Sequence, residues 1–311
     1  GVRLGRMGTA KDFDAQWLSR NAESVARADA LIGAQLADSK QFCEHTSASL
    51  CDEVFTVMQR SLNGNENSSI LLLGEAGSGK THLVEWCARK LRDVERSLTV
   101  LRAHGGAYAT DVECVRHLAS QATDQVVAAP KTTSFEQGLE WLRGVLAEGF
   151  KRSSAVLIIL ERFEHFCSRA RQTLLYNLFD IAQEVGVRLC IIGTSEKMDV
   201  MDALEKRIKS RFSMRHLHTF LPTTMEDLIS VLLAKLRPPP DAALKAPFPQ
   251  ELRRRLEGAL WARAPLWRPQ LELGRPVAWF LGQCLPVAAL LRESPGLAPP
   301  TKRARTVASD A

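Results

Sequence analysis

A glycine-rich segment in the first third of the sequence has the residue types and spacing of a phosphate-binding loop. It fits Gly-x-x-x-x-Gly-Lys-Thr, and its eight residues are Gly74, Glu75, Ala76, Gly77, Ser78, Gly79, Lys80 and Thr81. Small glycines let successive backbone N–H groups curl around a phosphate, and a helix that begins near the lysine adds the positive end of its dipole. We expect Lys80 to reach the outer phosphates and the Thr81 hydroxyl to ligate Mg²⁺. The segment therefore predicts ATP as the cofactor, with Mg²⁺ beside it.

A second chemical motif stands at the end of an apolar run. Ala155–Leu160 is six apolar residues long and predicts a buried central strand, which is followed by Glu161-Arg162-Phe163-Glu164. P-loop ATPases need acids at the end of such a strand, one to hold Mg²⁺ and one to activate water. Glu161 is such an acid, but an arginine follows it, and arginine is unable to act as a general base.

Strands and helices alternate around these two motifs. Short apolar runs predict five strands, at Ser69–Leu73, Ser97–Ala103, Ala155–Leu160, Arg188–Gly193 and His216–Leu221. A helix is expected from Lys80 to about Leu91. Strands that are apolar throughout and alternate with helices are typical of a parallel sheet covered on both faces, so the predicted fold class is α/β with a five-stranded parallel sheet.

Composition divides the chain into three predicted segments. Residues 1–62 are expected to be mostly helical, and residues 63–236 to form the nucleotide-binding domain. Thr223 and Glu226 have the spacing of a capping box, which predicts a last helix of this domain through Leu236. The sequence Pro238-Pro239-Pro240 then stops that helix. Residues 237–311 are predicted to be either a divergent lid or a largely disordered basic tail.

The last segment differs from the rest in proline and charge. Twelve of the fourteen prolines follow Arg237, and the segment carries 12 Lys+Arg against 6 Asp+Glu, which accounts for the net charge of +6. One amphipathic helix is expected near Gln250–Arg263, with the remainder a poorly ordered Pro/Arg-rich tail. Lys302-Arg303-Ala304-Arg305 fits a minimal nuclear import pattern, so the predicted localisation is the nucleus.

Cysteine usage and hydropathy exclude other classes of protein. The seven cysteines include no Cys-x-x-Cys pair, which favours reduced thiols in the cytosol or nucleus over a metal site or a disulfide framework. The longest apolar stretch, Pro276–Leu291, is shorter than the ~18 residues that a membrane span needs and contains Gln283 and Pro286. No membrane partner is predicted.

Two longer stretches of the sequence resemble a known family, the origin recognition complex subunit 4 proteins. They are Gln172-Thr173-Leu174-Leu175-Tyr176-Asn177-Leu178-Phe179-Asp180 and Leu204-Glu205-Lys206-Arg207-Ile208-Lys209-Ser210-Arg211-Phe212. The resemblance runs from about Asn65 to Leu236. It implies an AAA+ P-loop nucleotide-binding domain, a ring-like assembly with other origin recognition complex subunits, and contact with DNA through that complex.

The acidic motif departs from the pattern of this family, in which the strand ends in Asp-Glu-Phe-Asp. If Phe163 and Phe166 are used as anchors, Glu161 stands at the metal-binding position and Arg162 at the position of the catalytic glutamate. In the alternative register, Glu161 is the base and Leu160 replaces the metal-binding acid. Either register predicts a site that binds ATP and hydrolyses it poorly.

The resemblance also assigns roles to three residues outside the loop. Ser195 follows the fourth predicted strand, where it is either a polar sensor of the γ-phosphate or a cap of the strand. Arg211 stands where AAA+ proteins place an arginine finger that reaches the ATP of the neighbouring subunit, and Arg207 is a second candidate for this role. A solvated basic end of a helix is the alternative for both arginines.

The function predicted from the sequence is that of an ATP-binding scaffold subunit in the initiation of DNA replication. Two alternatives remain: an autonomous AAA+ ATPase, and a truncated interaction module that joins the complex without binding DNA. Arg162 argues against the first alternative. The second is favoured because the family continues into a helical lid and a DNA-gripping winged helix, and neither is recognisable after Arg237.

Overall fold

The fold is described from a computed structural model, which covers residues 16–37, 48–63, 68–95, 97–123, 134–151, 155–184, 188–239 and 244–293. The chain forms two compact units. One is Ser47–Leu221, and the other combines Gly1–Thr46 with Pro222–Ala311. The boundaries predicted after residues 62 and 236 are therefore displaced. The first boundary moves because the helix at Ala48–Leu62 packs on the sheet. The second moves because the helix at Met225–Lys235 packs into the core of the helical unit.

The described elements are five strands, twelve helices and one 3₁₀ turn. The strands are β1 Ser68–Leu73, β2 Leu98–His104, β3 Ala155–Glu161, β4 Leu189–Ser195 and β5 Arg215–His218. The helices are α1 Ala22–Ala37, α2 Ala48–Leu62, α3 Lys80–Val94, α4 Asp111–Thr123, α5 Phe135–Lys151, α6 Phe163–Cys167, α7 Thr173–Ile181, α8 Lys206–Lys209, α9 Met225–Lys235, α10 Phe248–Glu272, α11 Val277–Gly282 and α12 Val287–Glu293. The 3₁₀ turn is Ala170–Gln172, and residues 16–20 are also helical.

The larger unit is built on a single five-stranded sheet with the order β2-β3-β4-β1-β5. Every neighbouring pair is parallel. This confirms the predicted α/β fold class and the five-stranded parallel sheet. A parallel sheet needs apolar cover on both faces, and successive residues of each strand contribute to opposite faces.

The two faces of the sheet are covered by different helices. Ile158 and Leu160 of β3 join a core with α4, α5 and α7. Leu157 and Ile159, their neighbours along the strand, join a core with α2 and α3. Helix α2 therefore belongs to the sheet unit, because its apolar side, which includes Met58, packs on this second face.

The carboxyl ends of the parallel strands lie at one edge of the sheet, and this edge gathers the candidate site residues. The glycine-rich loop follows β1, the acidic motif follows β3, and Ser195 is the last residue of β4. Thr219 comes directly after β5. Crevices at the carboxyl ends of such strands are where open α/β sheets bind ligands.

The smaller unit is helical and has a core of its own. Helices α1, α9, α10, α11 and α12 contribute buried side chains that include Ile32, Leu228, Leu252 and Phe280. Trp17 stacks on Phe248 with ring centroids 5.6 Å apart. Helix α9 belongs to this unit because its buried leucines pack against α10.

Helical structure in the C-terminal segment extends beyond the predicted helix at Gln250–Arg263. Helix α10 covers Phe248–Glu272 although it contains Pro265 and Pro269, and two further helices follow it through Glu293. The import-like sequence Lys302–Arg305 lies outside the described residues. At the start of α9 the cap is Thr224, whose hydroxyl accepts the Asp227 N–H at 3.1 Å, one residue later than predicted.

The described cysteines are buried and free. Burial raises the pKa of the Cys51 thiol to about 11, and that of the Cys190 thiol to about 12. These thiols are therefore protonated small core residues. Among the described helices, none combines the length and the apolar composition that crossing a bilayer requires.

Candidate nucleotide-binding site

The glycine-rich loop has a backbone that depends on glycine at two positions. Gly77 has φ 82° and Gly79 has φ 91°, both in the left-handed region that other residues rarely adopt. Gly79 also stands directly before α3, so the turn ends where Lys80 begins the helix. The backbone N–H groups of the first turn of α3 have no partners within the helix, which makes them donors for an anion.

Gly74 is required for a different reason, which is the close approach of β5. A Cβ atom at this position would lie 2.7 Å from Ser78 Oγ and would also overlap Thr219. The loop is therefore anchored between the ends of β1 and β5. The Gly74 N–H also donates to the Ser195 carbonyl at 3.2 Å, which anchors the loop to β4.

The Lys80 ammonium lies inside the loop. Its Nζ donates to the carbonyl oxygens of Gly74 at 2.7 Å and Glu75 at 2.9 Å, and to Ser78 Oγ at 3.5 Å. Only 8% of the residue is exposed. All three acceptors are uncharged, so the ammonium brings a full positive charge to the centre of the loop, where the phosphates of a nucleotide are expected.

Charges around the loop act on this lysine in opposite directions. Burial lowers the pKa of Lys80 from its usual value, because desolvation disfavours the charged form. The carboxylates of Glu196 and Glu164 raise the pKa, and the Arg162 guanidinium lowers it. These three residues therefore lie close enough to Lys80 to share its electrostatic environment.

Hydrogen bonds through two hydroxyl groups connect the loop to the ends of β1 and β5. Ser78 Oγ lies 2.6 Å from Thr219 Oγ1, and the Thr219 hydroxyl donates to the Leu73 carbonyl at 3.2 Å. Ser78 and Thr219 are both buried. These hydrogen bonds fix the loop relative to β1 and β5 and leave Thr81 exposed on the first turn of α3.

The acidic motif places Glu161 on the last residue of β3. Its carboxylate Oε1 lies 3.9 Å from the Arg102 NH1 on β2, and the same guanidinium pairs with Glu85 on α3. Leu160, the metal-binding position of the alternative register, is fully buried among apolar side chains. Glu161 is therefore the residue that presents a carboxylate at the end of this strand.

Arg162 begins the turn after the strand, in a left-handed conformation with φ 51°. Its side chain is 47% exposed and its NH2 lies 3.6 Å from Glu196 Oε1. A guanidinium at this position adds positive charge near Lys80 and supplies no base. The residue after Glu161 is thus a cation and not a second carboxylate.

Ser195 and Glu164 form a hydrogen-bonded pair that the sequence did not predict. The Ser195 hydroxyl donates to Glu164 Oε2 at 2.6 Å, and it accepts the Lys197 N–H at 3.0 Å. Ser195 is 1% exposed. The position of Glu164, three residues after Glu161, could have indicated this pair. The first turn of α6 brings the Glu164 carboxylate to the end of β4.

Arg211 and Arg207 belong to a separate cluster around Tyr176 of α7. Arg211 donates to Asp180 Oδ1, to the Tyr176 hydroxyl and to the Arg207 carbonyl, each at 3.0 Å. Arg207 pairs with Glu205 at 2.7 Å, and its side chain is 45% exposed. Both guanidinium groups lie over the Tyr176 ring. None of these contacts joins either arginine to the phosphate loop.

The arrangement fits a nucleoside triphosphate. The loop has a buried cation, a glycine where no Cβ fits and a helix N-terminus, which together suit the charge and shape of phosphate groups. For Mg²⁺, the Thr81 hydroxyl and the Glu161 carboxylate are the oxygen donors of the type this ion prefers. No cluster of three or more metal-ligating side chains occurs in the described part of the chain.

Comparison with known sequences identifies the family. A family model described as an AAA domain matches residues 38–201, which is more than half of the chain. Origin recognition complex subunit 4 of Mus musculus is 34% identical over 211 residues, covering 64% of this chain and 49% of that protein. The chain spans about half the length of the curated relatives it matches.

Solved structures agree on the fold. The Aeropyrum pernix ORC2 protein in its ADPNP-ADP complexes matches with a TM-score of 0.57 at 12% identity, over 80% of this chain and 71% of that one. The Aeropyrum pernix ORC1 protein in complex with DNA matches with a TM-score of 0.54 at 20% identity, over 78% of this chain and 64% of that one. The chain belongs to the AAA domain family, and its resemblance to origin recognition complex subunit 4 is confirmed.

Proposed function

We propose that this chain is an ATP-binding subunit of an origin recognition complex, acting in the nucleus in the initiation of DNA replication. Its similarity to origin recognition complex subunit 4 supports this role. Contact with DNA is proposed to occur through the assembled complex, and a protein with the same fold has been described in complex with DNA. The other subunits of the complex are its proposed partners.

The observation that carries this proposal is the contrast between the loop and the acidic motif. Lys80 is buried in the loop with Nζ 2.7 Å from the Gly74 carbonyl, as a phosphate-binding lysine should be. Arg162, whose charge acts on Lys80, follows Glu161 at the position that the family resemblance assigns to the base. A site of this kind binds ATP and turns it over slowly, so ATP acts as a structural ligand.

Each residue of the site has a proposed part in binding. The backbone of Gly74–Gly79 and the Lys80 ammonium hold the phosphates, and Thr81 and Glu161 are the candidate ligands of Mg²⁺. A bound Mg²⁺ would neutralise phosphate charge. Ser195, whose hydroxyl is held by Glu164, is the proposed sensor of the nucleotide or of a water molecule next to it.

Arg211, or Arg207, is proposed to serve the ATP site of a neighbouring subunit. A finger acts in trans, so its lack of contact with the loop of its own chain is what the role requires. Arg207 has the more exposed side chain, at 45% against 26% for Arg211. Arg211 has the more fixed geometry because Asp180 and Tyr176 both hold it.

The test is nucleotide binding and turnover by the purified chain. Lys80→Ala should abolish ATP binding, because the loop loses its cation. Lys90→Ala is the matched control, since Lys90 lies on the same helix but over the Trp86 ring, 3.8 Å from its centroid. Turnover by the wild-type chain at ~1–10 per second, which is typical of enzymes, would show an autonomous ATPase and refute the scaffold role.

An interaction module is the second candidate, because the helical unit has its own core and contains none of the loop residues. Co-purification with other origin recognition subunits from nuclear extract tests membership in the complex. A Lys80→Ala chain that still co-purifies would favour the interaction module. Loss of co-purification in this variant, but not in Lys90→Ala, would favour ATP as part of the subunit interface.

A further inference from the structure

The side chain of Gln172 is buried at the end of the 3₁₀ turn, and only 4% of the residue is exposed. Its Nε2 donates to the carbonyl of Cys167 at 2.6 Å and to that of Ala203 at 2.7 Å, and its Oε1 accepts the Glu205 N–H at 3.0 Å. Both amide hydrogens are therefore used. A buried amide with its groups paired holds its partners in place. Gln172 thus connects the end of α6 to the segment that leads into α8.

Glu205 is the residue from which α8 starts. It caps the helix before Lys206, and its carbonyl accepts the N–H groups of Ile208 at 2.9 Å and Lys209 at 3.0 Å. Gln172 holds the N–H group of the same residue. A helix of four residues is too short to be stable through its own hydrogen bonds. The position of α8 therefore depends on contacts with the rest of the sheet unit, and the contact with Gln172 fixes where the helix begins.

The backbone of the 3₁₀ turn is strained at two successive residues. Arg171 has φ 61° and Gln172 has φ 40°, both in the left-handed region that residues other than glycine rarely adopt. The Arg171 carbonyl accepts a hydrogen bond from Arg207 NH2. Strained backbone of this kind persists where its surroundings determine it, and it is concentrated at functional sites. The turn therefore contacts the arginine-bearing segment at Glu205 and again at Arg207.

The two arginines of this segment are joined to each other. Arg211 NH1 donates to the Arg207 carbonyl at 3.0 Å. Their guanidinium groups lie over one ring, that of Tyr176, at 4.4 Å from its centroid for Arg211 and 5.1 Å for Arg207. A displacement of α8 would therefore move both arginines together. A misplacement of about 1 Å in a group that contacts the reacting atoms can lower a rate by roughly 10²-fold.

We propose that Gln172 is a positioning residue, which holds α8 in the orientation that lets Arg207 or Arg211 serve the ATP site of a neighbouring subunit. This inference rests on the proposed role of these arginines in trans. Gln172 is buried, so it acts on that site only through Glu205 and α8.

The experiment measures ATP hydrolysis by a reconstituted complex of this chain with other origin recognition subunits, with assembly checked by size exclusion. Gln172→Met keeps the volume of the side chain and removes its three hydrogen bonds. It should lower kcat by about 10–100-fold and change KM by less than about threefold, because a displaced arginine affects the transition state more than substrate binding. ATP binding by the loop of this chain should stay unchanged.

Gln121→Met is the matched control. Gln121 also makes hydrogen bonds with backbone groups of the sheet unit, to the N–H and the carbonyl of Arg102 on β2, both at 2.7 Å. The substitution removes contacts of the same kind at a place that is not connected to α8. It should keep kcat within about twofold of the wild-type value.

A second measurement separates positioning from a general loss of structure. A chain that carries both Arg207→Ala and Arg211→Ala has no arginine left to misplace. Adding Gln172→Met to it should lower the remaining rate by less than about twofold. A purely structural role would give the same loss in both backgrounds.

Hydrogen exchange of the purified chain supplies a readout that does not depend on activity. In Gln172→Met, the amides of Ile208 and Lys209 in α8 should exchange faster, and the amide of Leu83 in α3 should exchange as in wild type. Faster exchange throughout the sheet unit, or a variant that does not fold, would show that Gln172 maintains the whole core. Either result would overturn the proposal.

Two results in the complex distinguish this inference from the function on which it rests. Full activity of an assembled Gln172→Met complex, or an equal loss in the two backgrounds, would overturn the role of Gln172 and leave the arginines in trans intact. Full activity of the complex that carries Arg207→Ala and Arg211→Ala would instead refute the proposed role of the arginines.

Discussion

The Ser195 hydroxyl donates a 2.6 Å hydrogen bond to Glu164 Oε2, which joins the end of β4 to the first turn of α6. The same Glu164 carboxylate raises the pKa of Lys80. A single carboxylate therefore both orients the candidate sensor and supports the positive charge of the phosphate-binding lysine. A substitution of Glu164 should therefore affect both the orientation of Ser195 and the pKa of Lys80.

Nucleotide affinity should fall with rising pH earlier than an ordinary lysine would predict. Burial lowers the Lys80 pKa, so the charged form that binds phosphate is lost below the usual lysine range. Glu164→Gln removes a group that raises this pKa, and the fall should move to lower pH. Measuring the ATP dissociation constant against pH checks both statements. Glu53→Gln, on the exposed side of α2, is the control, and a shared profile for wild type and Glu164→Gln would contradict the prediction.

Gly74→Ala should destabilise the sheet unit and abolish nucleotide binding. The added methyl group would overlap Thr219 and Ser78, and overpacking of this kind costs roughly 1–3 kcal/mol. Gly144→Ala is the matched substitution, because Gly144 lies in α5 with open space around it, and it should stabilise the chain by about 0.5–1 kcal/mol. Urea unfolding with both variants measures the difference, and equal stabilities would show that β5 does not confine the loop.

Arg211→Ala should leave ATP binding by this chain nearly unchanged and sharply lower hydrolysis by the assembled complex. Arginine fingers that act in trans increase the rate of hydrolysis by a factor of ~10³–10⁵. Arg211→Lys should rescue little, because a point charge does not reproduce the planar fork of the guanidinium. The assay is the ATPase activity of a reconstituted complex, with assembly checked by size exclusion. Full activity in an assembled Arg211→Ala complex would leave Arg207 as the remaining candidate.

Pro265→Ala should stabilise the helical unit. Pro265 is exposed within α10 and has no backbone N–H to donate to the preceding turn, and proline in a helix interior costs up to about 3 kcal/mol relative to alanine. We expect a gain of roughly 1–3 kcal/mol in urea unfolding, with increased helical circular dichroism. Pro276→Ala, just before α11, should change stability by less than about 0.5 kcal/mol. A neutral or destabilising Pro265→Ala would show that the proline ring itself is needed for packing.

The sheet was predictable from the sequence because its signal is local. Ala155–Leu160 and Arg188–Gly193 are apolar runs of strand length, and the structure places β3 and β4 at Ala155–Glu161 and Leu189–Ser195. The C-terminal helices were harder to predict, because prolines mask the helical pattern. Pro265 lies within α10, which tertiary packing of Leu260 and Trp267 maintains.

The loop could be predicted and its surroundings could not. A contiguous motif reveals Lys80 and Thr81, whereas Arg102 is linked to Glu161 only by the pairing of β2 with β3. The contact between Ser195 and Glu164 likewise depends on two segments 31 residues apart in sequence. Such pairs become visible only when the strand order is known.

The strand order also sets when the loop can be completed during synthesis. Ser78 lies in the first third of the chain, yet its hydroxyl rests on Thr219, 141 residues later. A nascent chain therefore carries the phosphate-binding motif long before the strands that shape it have left the ribosome, and contacts of such sequence separation form slowly. A nucleotide that binds only the finished loop would stabilise completed chains and not partial ones, so binding would also mark the end of folding.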